Sequence, residues 1–244
     1  MGNTDRVRFD GRLPNQLRPV RITPSYLSTA PGSALIEMGE TKVICTVSHQ
    51  DRVPDFRVGT GKGWLTAEYS MLPGSSAQRI SRESATGRPN SRSREIQRLI
   101  GRSLRAVIDL QRLGEQTLYV DCDVIQADGG TRTAAISGAY VALIEAIDAL
   151  GQSGALTDAD PLLAPLAAIS VGVVGDELLL DLCYEEDARA ETDMNVVMTG
   201  EGGIVEVQGT AEGRPFSRAQ TIGMLDLAKV GIDELMAAQR TVLG

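Results

Sequence analysis

Residues 117–150 read TLYVDCDVIQADGGTRTAAISGAYVALIEAIDAL, and the stretch changes its pattern twice. From Thr117 to Gln126, Leu118, Val120, Cys122 and Val124 alternate with polar neighbours such as Asp121 and Asp123, the two-residue period of a half-buried strand. Asp128-Gly129-Gly130 breaks the alternation. From Thr131 to Leu150 the chain turns apolar and rich in small residues, which predicts a helix buried against a sheet. A strand followed by a buried helix, with a glycine pair between them, sets the α+β character of the chain.

The flanking sequence extends that reading. Upstream, residues 34–48 (ALIEMGETKVICTVS) alternate on both sides of Gly39-Glu40 and predict a hairpin, and LTAEYSML (65–72) predicts a further strand closed by Pro73-Gly74. Residues 95–113 place Ile96, Leu99, Ile100, Leu104, Val107 and Ile108 on one helical face, with Gly114 as the stop. Residues 151–165, with Pro161 and Pro165, read as a linker. Beyond it the style repeats: a hairpin over 167–184 about Gly175-Asp176, strands over 193–200 and 203–210, and a closing helix from Ser217 to Leu243. The expected fold is therefore α+β with two similar sheet-and-helix halves, about 1–150 and about 166–244, within a single domain over 1–244.

Composition narrows the chemistry. Hydrophobic residues make up 42% of the 244 but aromatics only 4%, so the core is aliphatic and broad stacking of nucleic-acid bases is disfavoured. Cys45, Cys122 and Cys183 lie far apart, which excludes a disulfide framework and a cysteine zinc site. The single histidine, His49, excludes a multi-histidine metal site and disfavours a Ser-His or Cys-His nucleophile; a structural or surface role is expected for it. With no secretory pattern at the start and no run of 18 or more apolar residues, no membrane association is expected, and the expected location is the cytoplasm.

Net charge is −8, yet its distribution is uneven. Arg79, Arg82, Arg88, Arg92, Arg94, Arg98, Arg102 and Arg105 fall in a segment with only two acids, Glu83 and Glu95. Arginine presents a planar fork that matches phosphate oxygens in pairs, so the segment reads as a focused anion site; a solvated helix face suits Arg98, Arg102 and Arg105 equally well. Asp128-Gly129-Gly130-Thr131-Arg132-Thr133 has the anatomy of a phosphate cradle, because glycines permit close approach and a helix start presents unpaired amides. A plain capped turn is the other reading of the same residues. Arg92, placed just before the helix expected near Glu95, is the candidate for a second cation on that anion. Glu185, Glu186, Asp187, Glu191 and Asp193 gather in one acidic stretch that suits magnesium or an ordinary solvated loop.

These stretches together resemble the ribonuclease PH family. The likeness is carried by RPVRI, GETKVICTV, LTAEYSMLPG, REIQRLIGRSLRAV, DCDVIQADGGTRTAAISGA, LLLDLCYEEDARAETDMNVVMTG and VEVQGTAEG, and it covers nearly the whole chain. It implies a phosphorolytic 3′-to-5′ exoribonuclease that trims transfer RNA precursors, passing terminal nucleotides to inorganic phosphate and able to run in reverse. It implies phosphate binding by Arg92, Gly130, Thr131 and Arg132, catalysis and magnesium binding by Asp187 and Asp193, and RNA contacts from Arg79 and Arg82, with Arg88 unassigned. It further implies a homohexameric ring built as a trimer of dimers, and a left-handed β-α-β crossover that the general handedness rule would miss. Two other readings compete: a metal-dependent hydrolytic 3′ exonuclease, and a non-catalytic RNA-binding ring subunit.

Overall fold

The computed structural model describes residues 8–83, 87, 90–156 and 161–244; Arg88 lies outside them. Two sheets are present. In the first, β1 (Val20–Pro24), β2 (Gly32–Met38), β3 (Thr41–Gln50), β4 (Trp64–Met71) and β5 (Thr117–Gln126) run in the order β1-β2-β3-β5-β4. Its pairs are antiparallel except β4 and β5, which are parallel and joined through α1 (Ser91–Arg105) and the short α2 (Leu110–Leu113). In the second sheet, β6 (Leu166–Val174), β7 (Glu177–Leu180), β8 (Thr192–Thr199) and β9 (Ile204–Ala211) run β7-β6-β8-β9, all antiparallel. Each half thus has a hairpin, further strands (three in the first, two in the second) and a closing helix, but only the first has a helical crossover between parallel neighbours.

The helix α3 (Thr131–Ser153) lies between the halves, packed on β2 and β3 on one side and β6 on the other. Its small residues make this possible. A Cβ on Gly138 would stand 2.7 Å from the Ile36 side chain, and one on Gly32 of β2 would stand 2.0 Å from the Ala142 carbonyl, so helix and sheet touch backbone to backbone. α3 is long and apolar enough by composition to cross a membrane, but 72% of that apolar window is buried inside the protein, as befits a central core helix. The long α5 (Arg218–Leu243), capped by Ser217, covers β6, β7 and β1. One hydrophobic core runs through both halves, and Tyr69 and Tyr140 are its only aromatic members among the described residues.

Three local expectations are corrected. The helix expected over 95–113 begins at Ser91, because the Asn90 side chain accepts from the Ser93 amide and caps it there. It ends at Arg105, because Leu163 and Asp109 backbone amides bond to Val107 and Pro161 carbonyls and draw residues 107–109 into an extended pairing with 161–163. That pairing also makes the end of the supposed linker an anchored segment, while α3 occupies its beginning to Ser153; residues 157–160 lie outside the described ones. Finally, the acidic stretch after Cys183 is a single helical turn, α4 (Tyr184–Asp187), followed by a return to β8.

Candidate active site

The glycine pair after β5 adopts left-handed backbone, with φ of 74° at Gly129 and 63° at Gly130, a conformation that costs other residues appreciably. Gly129 is also forced by contact: a Cβ there would lie 2.6 Å from the Leu182 carbonyl oxygen and 2.8 Å from the Tyr184 amide. The chain leading to α4 therefore crosses directly against the loop leading to α3. Gly130 caps α3, and among the described residues no hydrogen bond accepts from the amides of Gly129, Gly130 or Thr131. These free donors, at the positive end of a long helix, are arranged as would suit an anion.

Side chains from five other elements border it. The Thr131 hydroxyl lies 2.8 Å from the Tyr69 hydroxyl on β4. Burial pushes the Tyr69 phenol up, opposed by the Thr131 bond and by the charge and hydrogen bond of Arg92, which brings the first turn of α1 to the same point. Arg132 reaches Glu95 Oε1 at 3.2 Å and Gln208 Oε1 at 3.1 Å, linking α3 to α1 and β9. Asp187 ends α4 and Asp193 lies on β8. Burial raises the Asp187 carboxyl against the lowering charges of Arg92 and Arg132. Burial likewise raises Asp193, with the Asp187 charge adding to it and Arg132 opposing. Asp187 is thus within electrostatic reach of Arg92 and Arg132, and Asp193 within reach of Asp187 and Arg132.

Each expected site residue can now be placed. Arg92, Gly130, Thr131, Arg132, Asp187 and Asp193 converge, with Arg92 in the first turn of α1 rather than ahead of it. Arg79 and Arg82 are exposed on the segment after β4, which is tied to the same end of the sheet by Leu72 donating to Val124 and Ala127 donating to Ser75. The acidic stretch divides. Glu186 is buried and held by Arg8, Glu191 accepts from the Gly175 amide and Glu185 is exposed, while Asp187 and Asp193 both lie within reach of Arg132. His49 is remote, at the far end of β3 from Thr41, with Nε2 2.6 Å from Gln116 Oε1.

Sequence reasoning missed a buried ionic layer beneath this site. Arg8, Arg12 and Arg18, all under 9% exposed, meet Asp181 and Glu186, also buried. Arg8 Nε donates to Glu186 Oε1 at 2.6 Å, and Arg12 Nη1 donates to the Asp181 carbonyl at 3.0 Å. Arg18 grips Asp181 with both edges of its fork, Nε to Oδ2 at 3.0 Å and Nη2 to Oδ1 at 2.7 Å. No spacing in the sequence links residues 163 positions apart.

Family models for the two domains of the 3′ exoribonuclease family match residues 16–147 and 164–231. The ribonuclease PH of Moorella thermoacetica is 58% identical over 238 residues, covering 98% of this chain and 95% of that protein. Among solved structures, rice (Oryza sativa) Rrp46 superposes with a TM-score of 0.79 at 22% identity, covering 97% of this chain and 100% of that one. The Archaeoglobus fulgidus exosome with RNA bound to its active site gives 0.79 at 23% identity, covering 95% and 92%. These distant structures share the fold, and the bacterial relative shares most of the residues as well. With both halves matched in order and so much of its length in common with a curated relative, the chain belongs to the 3′ exoribonuclease family.

Proposed function

We propose that the chain is a phosphorolytic 3′-to-5′ exoribonuclease that trims transfer RNA precursors, transferring each terminal nucleotide to inorganic phosphate and releasing a nucleoside diphosphate. The observation that carries the reading is the donor-lined concavity at Gly129, Gly130 and Thr131, flanked by the guanidinium groups of Arg92 and Arg132 and facing two carboxylates. A hydrolytic nuclease would have no use for such a cradle. The name and close identity of the Moorella thermoacetica relative support the same reading.

In this mechanism Arg92, Gly130, Thr131 and Arg132 hold inorganic phosphate, and Arg79 and Arg82 at the rim hold the RNA backbone. An oxygen of hydrogen phosphate attacks the last phosphorus of the strand, the bond from that phosphorus to the preceding 3′ oxygen breaks, and that oxygen takes the proton that hydrogen phosphate gives up to become the new 3′ hydroxyl. Two anionic centres must approach within bonding distance, so the cations contribute mainly by offsetting charge and by orientation. Phosphate arrives already ionised, which is consistent with a site that has no histidine.

Asp187 and Asp193 suit a magnesium ion. Both carboxyls are raised by burial and Asp193 further by its neighbour, so a hard dication between them would relieve repulsion. When bound, the metal would offset charge at the reacting phosphoryl group. A role in the cytoplasm, and self-association into a homohexameric ring of three dimers, complete the proposal.

The decisive experiment incubates the protein with a 3′-extended transfer RNA, with and without phosphate, and identifies the released nucleotide. Nucleoside diphosphate released only with phosphate is the expected result. Monophosphate at equal rates in both conditions would establish hydrolysis instead, and shortening unaffected by joint Asp187→Asn and Asp193→Asn would remove the carboxylates from the chemistry.

A further inference from the structure

The direction in which the phosphate-loop amides point is set from below. The carbonyl of Asp128 accepts from Arg18 Nη1. The carbonyl of Gly129 accepts from the Thr41 hydroxyl at 2.6 Å and lies 3.5 Å from Arg18 Nη2. The Thr41 oxygen in turn accepts from the Asp128 amide at 2.9 Å. In a planar trans peptide the N–H points opposite to the C=O of the same unit. Drawing the carbonyls of residues 128 and 129 toward Arg18 and Thr41 therefore turns the amides of Gly129 and Gly130 to the other side, toward the start of α3. Two of the donors that the proposed anion needs owe their direction to this arrangement.

The same guanidinium holds the other wall. Its remaining donors fix both oxygens of Asp181, whose own amide receives no freedom either, since it donates to the Ser170 carbonyl at 2.8 Å. Asp181 leads through Leu182 and Cys183, the residues that press on Gly129, into α4 and Asp187. Thr41 and Asp181 are fully buried, and Arg18 is 5% exposed. A buried ion pair generally adds little net stability over well-packed apolar residues, so stability alone is a weak reason for its presence directly under the loop. Lysine could keep the charge but could not span four acceptors with one rigid fork.

We infer that Arg18, acting with Thr41, is a positioning residue for phosphate: it aims the Gly129 and Gly130 amides and, through Asp181, sets the distance from that anion site to the segment bearing Asp187. The inference rests on the phosphorolytic reading for its ligand, and names residues that touch neither RNA nor phosphate.

The test uses the full-length chain and two variants, Thr41→Val and Arg18→Lys. Calorimetric titration with inorganic phosphate is the primary measurement, with circular dichroism to establish folding and phosphorolysis of a 3′-extended transfer RNA to separate the two KM values. In Thr41→Val the phosphate Kd should rise about tenfold, the effect of misaligning a charge-assisted hydrogen bond, and the KM for phosphate should rise with it. The KM for RNA should stay within about twofold, because the rim arginines are untouched. Arg18→Lys should weaken phosphate further. Phosphate binding within about twofold of wild type in either folded variant overturns the inference; if Arg18→Lys does not fold, Thr41→Val decides alone. Failure of the phosphorolytic reading would look different, as a wild-type enzyme that shortens RNA at the same rate without phosphate.

Discussion

The hydroxyl oxygens of Tyr69 and Thr131 lie 2.8 Å apart, joining the middle of β4 to the first turn of α3 at the point where Arg92 arrives from α1. Tyr69 is 2% exposed, so Tyr69→Phe keeps the packing and removes the bonds of its hydroxyl to Thr131 and Arg92. Melting should report a loss of about 1 kcal/mol, and saturation curves should show weaker phosphate binding with RNA affinity retained. Unchanged phosphate saturation would make the contact a matter of packing alone.

Arg92 is exposed and belongs to the first turn of a helix that is capped independently by Asn90. Arg92→Ala should therefore alter stability by less than about 0.5 kcal/mol while raising the phosphate concentration needed for half-maximal phosphorolysis at least about tenfold. A normal phosphate curve would take Arg92 out of the site.

Gly129 and Gly154 have nearly the same backbone, with φ of 74° and 76°, but a Cβ meets three backbone atoms under 3 Å at the first and open space at the second. Gly154→Ala should cost about 1 kcal/mol from backbone strain. Gly129→Ala should cost about 3 kcal/mol or more, because Leu182 to Tyr184 must also move, and activity should fall with it. Equal melting temperatures for the two variants would show that the crossing of these loops is loose.

On the first sheet, Glu68 and Asp121 are paired across β4 and β5, and Asp123 follows on the same face. Burial raises both aspartates, and the charge of Glu68 raises them further. A carboxyl with a folded-state pKa above its unfolded value binds protons on folding, so its contribution to stability improves as pH falls through the raised pKa and levels off below the unfolded value. Glu68→Gln should accordingly raise stability near neutral pH by about 0.5–1 kcal/mol, the scale of a like-charge cross-strand pair. The gain should fade in melts taken as pH falls through the raised range of Asp121 and Asp123, where these two lose the charge that Glu68 opposes; a gain that persists in acid would point to packing.

Much of this was readable in the chain itself, for reasons that differ by element. The two-residue period of 117–126 and the glycine turn at 39–40 are local signals, and β5 and the β2–β3 hairpin follow them. The Gly129-Gly130 cradle was legible because only glycine suits the backbone there. The end of α1 was not, since what stops it at Arg105 is pairing with residues more than fifty positions away. The strand β1 was hidden for a related reason: its edge position leaves only Ile22 buried, too little alternation to announce a strand. Nothing in LTAEYSML sets Tyr69 apart, and only the fold shows its hydroxyl meeting Thr131. Arg18 and Asp181 are the extreme case, a pair whose meaning exists only after both sheets have closed on α3.

That pair has a consequence for how the protein is made. Arg18 leaves the ribosome 163 residues ahead of the carboxylate that neutralises it, and Arg8 precedes Glu186 by 178. Until the last third of the chain has been translated, these cations have no place in an apolar interior, so the nascent amino terminus must stay in water while the strands behind it begin to assemble. Seating this arm under the glycine loop is then a step that waits for both halves of the chain, and the loop cannot take its final shape before it.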